Sequence, residues 1–190
     1  SNTAVTNIDE RFDYAIDRDG FVAVLGEANG YSTTLPDLMG QGYHTISVGL
    51  VNGNHSAGLT AYDTTGRMKP DIVAFETLTS YATPQVSSAA GLISEKLRNT
   101  YSASLTTAAA YPRLTKALLL AGAAKDPLSG WSRADTTKPY DARYGAGALN
   151  VFLAYRILDA GNVTYSGSST VPCTAWSVAS VSNTPPSNAT

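Results

Sequence analysis

Hydrophobic residues along the chain follow two patterns, helical spacing and short unbroken apolar runs. The first helical pattern consists of four residues that recur on one face: Ile8, Phe12, Ala15 and Ile16. The pair Asp19-Gly20 follows this pattern and predicts its end, because glycine commonly terminates helices. The sequence therefore predicts an N-terminal helix.

Three further helices are predicted. Pro84 introduces the clearest of them, since proline favours the first turn of a helix. Its broad apolar face comprises Val86, Ala89, Ala90, Leu92, Ile93 and Leu97. The other two run from Leu114 to Ala124, preceded by Pro112, and from Ala148 to Ala160, closed by Gly161.

Three short segments have the composition of strands. Phe21 to Leu25 is an unbroken apolar run, which is typical of a strand covered on both faces in a parallel sheet. His44 to Leu50 and Asp71 to Phe75 are the other two segments. Residues 26–43 are rich in Gly, Ser, Thr and Pro and predict a long loop, and residues 51–54 predict a turn.

This alternation of strands and helices predicts an α/β domain with a mainly parallel sheet flanked by helices. In such sheets ligands bind beyond the carboxyl ends of the strands, so the loops after Leu25 and Phe75 are the places where a site is expected. Residues 162–190 lack helical periodicity and are interpreted as a linker or the start of a β module.

Composition narrows the classes of function. With 13 basic and 15 acidic residues and no basic cluster, the chain lacks the charge pattern of a nucleic-acid-binding protein. Only 15% of its residues are charged, which favours an extracellular protein. The one cysteine, Cys173, excludes an intrachain disulfide framework, and no apolar run is long enough for a membrane span.

A candidate nucleophile lies before the helix that Pro84 introduces. Ser80 would sit near unpaired backbone N–H groups and the positive end of a helix dipole, which stabilise the anion formed when a hydroxyl attacks a carbonyl. The alternative on local features is an ordinary N-cap, because Ser and Thr are common at helix starts.

Two linked motifs resemble the serine region of the subtilisin-like serine proteases (subtilases, peptidase S8). The first motif is Lys69-Pro70-Asp71-Ile72-Val73-Ala74. The second is Thr79-Ser80-Tyr81-Ala82-Thr83-Pro84 with the small residues after it. Residues 21–30, 45–49, 116–120 and 144–150 resemble other segments of that family in the same order. The resemblance covers residues 1–161 and implies the C-terminal part of a subtilisin-like three-layer catalytic domain, truncated on its N-terminal side.

The resemblance implies that Ser80 is the nucleophile, activated by a histidine that an aspartate orients. The family order is Asp, His, Ser, and no Asp-Thr-Gly or His-Gly-Thr motif lies between Ser1 and Ala28, so both residues are expected on an upstream segment of the same polypeptide. His44 and His55 lie in the wrong position and are interpreted as structural or surface residues. Four carboxylates are interpreted as helix-surface or turn residues, because carboxylates are usually solvated: Asp13, Asp17, Asp19 and Asp71.

The resemblance also assigns an oxyanion donor and a substrate-binding set. Asn29 is the candidate donor, although an ungapped match would place Glu27 there, and Asn29-Gly30 is also a strong turn signal. Leu25, Gly26 and Thr79 are the residues assigned to substrate binding.

Two departures from the family pattern concern residues beside the motifs. Leu78 replaces a family glycine and Phe75 a family proline. A leucine at position 78 would crowd an approaching substrate backbone, because glycine is used where two backbones come close.

The sequence is thus interpreted as a fragment of a secreted serine endopeptidase that is inactive without its upstream segment and acts on protein or peptide substrates. The alternative is a degenerate subtilase-fold module that binds peptides or serves a structural role, which Leu78 and Glu27 favour. No cofactor is expected; the resemblance allows calcium, but the sequence identifies no ligands for it. Neither nucleic acid nor membrane is expected as a partner.

Overall fold

The structure of the protein is a computed structural model that describes residues 3–61, 67–105, 107–133, 140–162 and 176. It is a mixed α/β fold with four α-helices and a small parallel sheet in this part of the chain. The coarse prediction of an α/β domain with a mainly parallel sheet is confirmed.

All four predicted helices are present, with different bounds. They are α1 (Thr3–Asp19), α2 (Thr79–Tyr101), α3 (Ala110–Ala121) and α4 (Val151–Asp159). A short 3-10 helix, Ser102–Ser104, follows α2. Helix α1 ends as predicted at Gly20, whose φ of +68° is the left-handed conformation that glycine adopts readily.

The prediction that Pro84 introduces its helix is wrong. Helix α2 begins at Thr79, so that Pro84 is its sixth residue and lies on the exposed side. The side chain of Asn29 accepts a hydrogen bond from the Thr79 backbone N–H at 2.9 Å and thereby starts the helix a turn earlier. Pro112 likewise lies within the first turn of α3, where backbone N–H groups have no intrahelical partner.

The parallel sheet contains the three predicted strand segments in chain order. Strands β1 (Val24–Gly26), β2 (Ile46–Leu50) and β5 (Ile72–Ala74) are neighbours in the order β1-β2-β5. Val24 pairs with Ile46, and Val48 pairs with Ile72. Two short strands that were not predicted, β3 (Gly58–Leu59) and β4 (Met68–Lys69), pair antiparallel.

Strand β1 does not have the covered environment that its apolar run predicts. Phe21 is exposed, Val24 and Leu25 are half-buried, and β1 lies at the edge of the described sheet. Strand β2, in contrast, is buried at every position because it lies between β1 and β5.

The main core lies between the sheet and helix α2, which packs against all three parallel strands. The side chains of Ile46, Val48 and Leu50 alternate along β2 and join α2 residues such as Val86 and Ile93 in this core. Helices α3 and α4 pack against α2 and extend the same core. The opposite face of β5 contributes Val73 to a smaller cluster.

Most of the segment interpreted as a linker or β module lies outside the described residues, and so does Cys173. Trp176 is an exception. Its indole N–H donates to the carbonyl of Leu158 at 3.0 Å, and its ring meets Tyr101 edge-on at 4.9 Å between centroids. The chain at this residue therefore packs on the domain core.

Candidate functional site

Two loops meet at the carboxyl edge of the sheet. Residues 27–30 follow β1, and residues 75–78 follow β5 and lead into α2. The Thr79 hydroxyl joins the two loops by donating to the carbonyl of Glu27 at 2.7 Å. Parallel strands end at one edge, which is why residues distant in sequence come together here.

Ser80 occupies the first turn of α2 and is exposed to solvent. The backbone N–H groups of Tyr81 and Ala82 both donate to the carbonyl of Leu78. The Ser80 backbone N–H and hydroxyl have no hydrogen-bond partner among the described residues. The serine thus presents a free hydroxyl and a free N–H at the positive end of a 23-residue helix.

Asn29 lies at the same helix terminus. Its Oδ1 accepts from the Thr79 N–H at 2.9 Å and is 3.2 Å from the Thr79 hydroxyl. Because the oxygen faces the helix, the Nδ2 amide is turned away from it, and this amide has no partner within the described part of the chain. Asn29 therefore contacts the start of α2 through its side chain, whereas Glu27 does so only through its backbone carbonyl.

The prediction that Asn29-Gly30 forms a turn applies to the same stretch of backbone. Gly30 has a φ of +105°, and its carbonyl accepts from the Thr33 backbone N–H at 3.2 Å. The Gly30 N–H donates to the Asn54 carbonyl, and the Tyr31 N–H donates to Asn54 Oδ1. The turn is thus anchored to the loop after β2, which holds Asn29 in place.

The three residues assigned to substrate binding differ in accessibility. Gly26 is exposed at the end of β1, and a side chain there would meet the Thr83 hydroxyl at 2.7 Å. Leu25 is half-buried beside it. Thr79 is buried, and its hydroxyl is used inside the protein, so its side chain supports the loop after β1.

The two departures from the family pattern are both on the surface. Leu78 is 41% exposed and Phe75 is 59% exposed. Leu78 precedes the helix with φ −132° and ψ 144°, an extended conformation that any residue adopts. The backbone of this position therefore does not require glycine, although the leucine side chain stands next to Ser80.

Both histidines are engaged away from Ser80. His55 is fully buried, with Nδ1 accepting from the Leu50 N–H at 2.9 Å and Nε2 donating to the Arg143 carbonyl at 2.8 Å. Burial lowers the pKa of His55 to about 4, so the imidazole stays neutral. His44 lies 3.3 Å from the carboxylate of Asp17. Neither histidine contacts Ser80, and the described residues contain no Ser–His pair.

The four carboxylates interpreted as helix-surface or turn residues have partners other than Ser80, and the interpretation is wrong for Asp13 and Asp71, which are buried. Asp13 accepts from the backbone N–H groups of Tyr43 and His44, and Asp17 pairs with Arg113. Asp19 pairs with Arg18 on the surface of α1. None of these three carboxylates contacts the start of α2.

A buried ionic cluster supports β5 below the site. Asp71 Oδ2 accepts from the Lys69 ammonium at 2.7 Å, and Asp71 Oδ1 lies 3.1 Å from the Lys116 ammonium. Burial alone would raise the pKa of Asp71, but the two ammonium groups and the Ser47 backbone N–H outweigh it and hold the pKa at about 2. Burial lowers the pKa of Lys116 to about 8, although Asp71 opposes the shift.

Glu27 has a buried carboxyl, and this burial was not predicted from the sequence. Glu27 is 3% exposed, its Oε2 accepts from the Ser56 hydroxyl at 2.9 Å, and its Oε1 has no hydrogen-bond partner among the residues that the structure describes. Burial raises the pKa of Glu27 to about 7, while the Ser56 hydroxyl and the charge of Lys69 partly oppose the rise. A lone Glu in a loop gives no sequence signal of burial, which is why its buried position was not predicted.

The raised pKa makes stability depend on pH with a definite sign. In the folded chain Glu27 has a pKa of about 7 against an ordinary 4.5. Its stabilising contribution is therefore present below the ordinary value and is lost as the pH rises through 7. The parent chain should lose this contribution on going from about pH 5 to about pH 8.5, and Glu27→Gln should not. We therefore expect the unfolding free energy of Glu27→Gln, relative to that of the parent chain, to rise by roughly 3 kcal/mol over this interval.

Urea denaturation at the two pH values measures this gain. Glu76→Gln is the control, because Glu76 bonds Gln85 on the surface and its replacement should follow the parent at both pH values. Identical pH dependence in the parent and Glu27→Gln would contradict the burial-induced shift.

The structure offers no metal centre in its described residues. No group of three or more His, Cys, Asp or Glu side chains there is arranged to hold a metal ion. Within the same residues, no helix is both long and apolar enough to cross a lipid bilayer.

Comparison of the sequence with protein-family models gives no match, and comparison with curated proteins gives none either. The function is therefore inferred from the motifs and the geometry of the site.

Proposed function

We propose that this chain is the serine-bearing part of a secreted, subtilisin-like serine endopeptidase, with Ser80 as its nucleophile. The observation that carries the proposal is the start of α2, where an exposed serine hydroxyl lies on a residue with an unpartnered backbone N–H and where Asn29, whose amide is also unpartnered within the described residues, bonds the preceding Thr79. The two N–H donors are thus the Ser80 backbone N–H and the Asn29 amide. Such an arrangement suits attack on a carbonyl carbon.

In the proposed reaction the Ser80 oxygen attacks the peptide carbonyl, and its proton passes to a histidine. The Ser80 N–H and Asn29 Nδ2 donate to the oxyanion that forms. The C–N bond then breaks, the amine leaves with the proton from the histidine, and water hydrolyses the acyl-enzyme on Ser80. No cofactor takes part in these steps.

The general base must come from residues outside this chain, because His44 and His55 are held elsewhere. In the proposal an upstream segment of the same polypeptide supplies the histidine and its aspartate. This arrangement completes the subtilisin-like three-layer domain, of which residues 1–161 form the C-terminal part.

The unpaired edge of β1 is a place where such a segment could dock. In the parallel ladder with β2, the backbone groups of Ala23, Leu25 and Glu27 point toward β2, so those of Val24 and Gly26 point to the free edge. A free edge of this kind accepts another strand.

A cleft of about 260 Å³ continues from this edge along α2. It is lined by apolar and small residues with one cation: Phe21, Val22, Val24, Ala90, Gly91 and Arg98. Additional chain packed here would cover the apolar run that the sequence predicts to be buried.

The second candidate function is a degenerate module that binds peptides or serves a structural role. The exposed Leu78 side chain beside Ser80 favours it, because a substrate backbone would have to pass this side chain. The two candidates differ in chemistry, since only an activated serine cleaves a peptide.

Cleavage of a chromogenic peptide tests the proposal. The polypeptide that includes the upstream segment is expected to cleave the peptide, whereas the isolated 190-residue chain is expected to show negligible turnover. Ser80-dependent turnover by the isolated chain would contradict the missing base. Absence of turnover in both would favour the binding module.

Replacement of the proposed oxyanion donor, Asn29, should reduce activity without abolishing it. In the longer polypeptide we expect Asn29→Ala to lower kcat by about 10²- to 10³-fold with little change in KM, because the lost donor acts on the transition state. The kinetics of peptide hydrolysis measure both constants. Asn99→Ala, on the exposed side of α2, is the control and should leave kcat unchanged. An equally active Asn29→Ala enzyme would remove Asn29 from the oxyanion site.

A further inference from the structure

A buried carboxyl group, that of Glu27, takes part in the hydrogen bonds that hold the loop carrying Asn29. The Ser56 hydroxyl donates to Glu27 Oε2 at 2.9 Å and accepts from the Ala28 N–H at 3.1 Å. The Ser56 N–H donates to the Ala28 carbonyl at 2.8 Å. Ser56 thus ties the Glu27 side chain to the backbone that immediately precedes Asn29.

The same residue is bound to the helix start through its backbone. The Glu27 carbonyl accepts from the Thr79 hydroxyl, and Asn29 Oδ1 accepts from the Thr79 N–H. Displacement of residues 27–29 would therefore move the Asn29 amide relative to the first turn of α2.

The Glu27 carboxyl lies near charged groups, which interact differently with its ionised and protonated forms. Lys69 from β4 attracts the ionised form, Asp71 before β5 repels it, and the Ser47 hydroxyl of β2 also favours the ionised form. Lys116 of α3 is paired with Asp71, and the buried His55 beside Ser56 is neutral. Helix α2 contacts this loop through the uncharged Thr79.

Protonation would change the hydrogen bonds of this group. Ionised Glu27 accepts a charge-assisted bond from Ser56, which is stronger than a bond between neutral groups. Protonated Glu27 becomes a donor, and the groups that face it are the Ser56 and Ser47 hydroxyls. The bond to Ser56 must then weaken or reverse, and Ala28 loses part of its support.

We propose that Glu27 is a positioning residue whose ionisation state sets the place of the Asn29 amide at the start of α2. The inference rests on the proposed function in that this amide is the oxyanion donor. The active arrangement is the one with ionised Glu27, so protonation loosens the donor without touching the nucleophile.

Amide NMR of the isolated chain tests this link without requiring peptidase activity. Across the neutral pH range we expect the Asn29 side-chain amide and the Ala28 and Thr79 backbone amides to shift together with one midpoint. In Glu27→Gln the three signals should be independent of pH. Ser56→Ala should raise the midpoint, because it removes a donor to the ionised form.

Two controls separate Glu27 from other titrating groups. Glu76→Gln and His44→Asn, which replace a carboxylate and an imidazole that bond elsewhere, should leave the common midpoint unchanged. Flat signals in the parent chain, or an unchanged midpoint in Glu27→Gln, would overturn the proposal.

The longer polypeptide supplies the catalytic readout. Glu27→Gln is expected to remove one ionisation from the acid limb of its kcat profile while Ser80 stays reactive. If the NMR titration depends on Glu27 but Ser80 never reacts, the proposed function fails and the positional link stands. If Ser80 reacts and the NMR signals do not move, the positioning role fails alone.

Discussion

Ser80→Ala is expected to lower kcat of the polypeptide that includes the upstream segment by about 10⁶-fold, the scale seen when a subtilisin loses its nucleophile. The loss follows because the attack on the peptide carbonyl requires the Ser80 oxygen. Substrate binding should change little, since the side chain is small and exposed at the first turn of α2. Steady-state hydrolysis of a chromogenic peptide measures the change.

Ser88→Ala is the matched control for this experiment. Ser88 lies on the exposed side of the same helix, and its replacement should leave kcat within a factor of about two. Full activity of Ser80→Ala would exclude Ser80 as the nucleophile.

Asp71→Asn is expected to destabilise the fold by about 3 to 5 kcal/mol, because it leaves two buried ammonium groups without a counter-charge. Lys69 is only 2% exposed, and Lys116 reaches Asp71 at 3.1 Å. The contribution of Asp71 is present at neutral pH and is lost as the pH falls toward its pKa of about 2. Urea denaturation at neutral pH measures the loss.

Two variants make this result specific. Asp126→Asn removes an exposed carboxylate and should change stability by less than about 0.5 kcal/mol. Asp71→Asn combined with Lys116→Met should cost less than the sum of the single changes, because the two groups interact directly. A loss below about 1 kcal/mol for Asp71→Asn would contradict the role of the cluster.

The sequence predicts the elements of this fold better than their ends. Apolar periodicity locates the four helices because buried positions recur along one helix face. The start of α2 could not be predicted, since it depends on a hydrogen bond between Thr79 and Asn29, which are 50 residues apart. Pro84 is a local signal, and this long-range contact overrides it.

The apolar run ending at Leu25 predicts a strand that is covered on both faces, and the described residues cover it only in part. Periodicity reports how much burial a strand suits, not which segment covers it. The half-buried Val24 and the exposed Phe21 therefore differ from the prediction in surroundings and not in strand character.

The sequence predicts the location of the site, and it predicts some of the residues that form it. The order of the motifs indicated Ser80 as the nucleophile and left Asn29 and Glu27 as alternative positions for the oxyanion donor. In the structure the Asn29 side chain lies at the start of α2, and the Glu27 side chain is buried. The contact between Lys116 and Asp71 and the support from Ser56 were not predicted. Both depend on side chains brought together only by the folded sheet.

The proposed role of Ser80 is tested most directly by treating the longer polypeptide with a fluorophosphonate and mapping the modified residue by mass spectrometry. Only a serine activated by a base reacts quickly with this reagent. The proposal predicts one rapid adduct on Ser80, which is absent in Ser80→Ala and much slower in the isolated chain. Rapid labelling of another residue, or none at all, would contradict it.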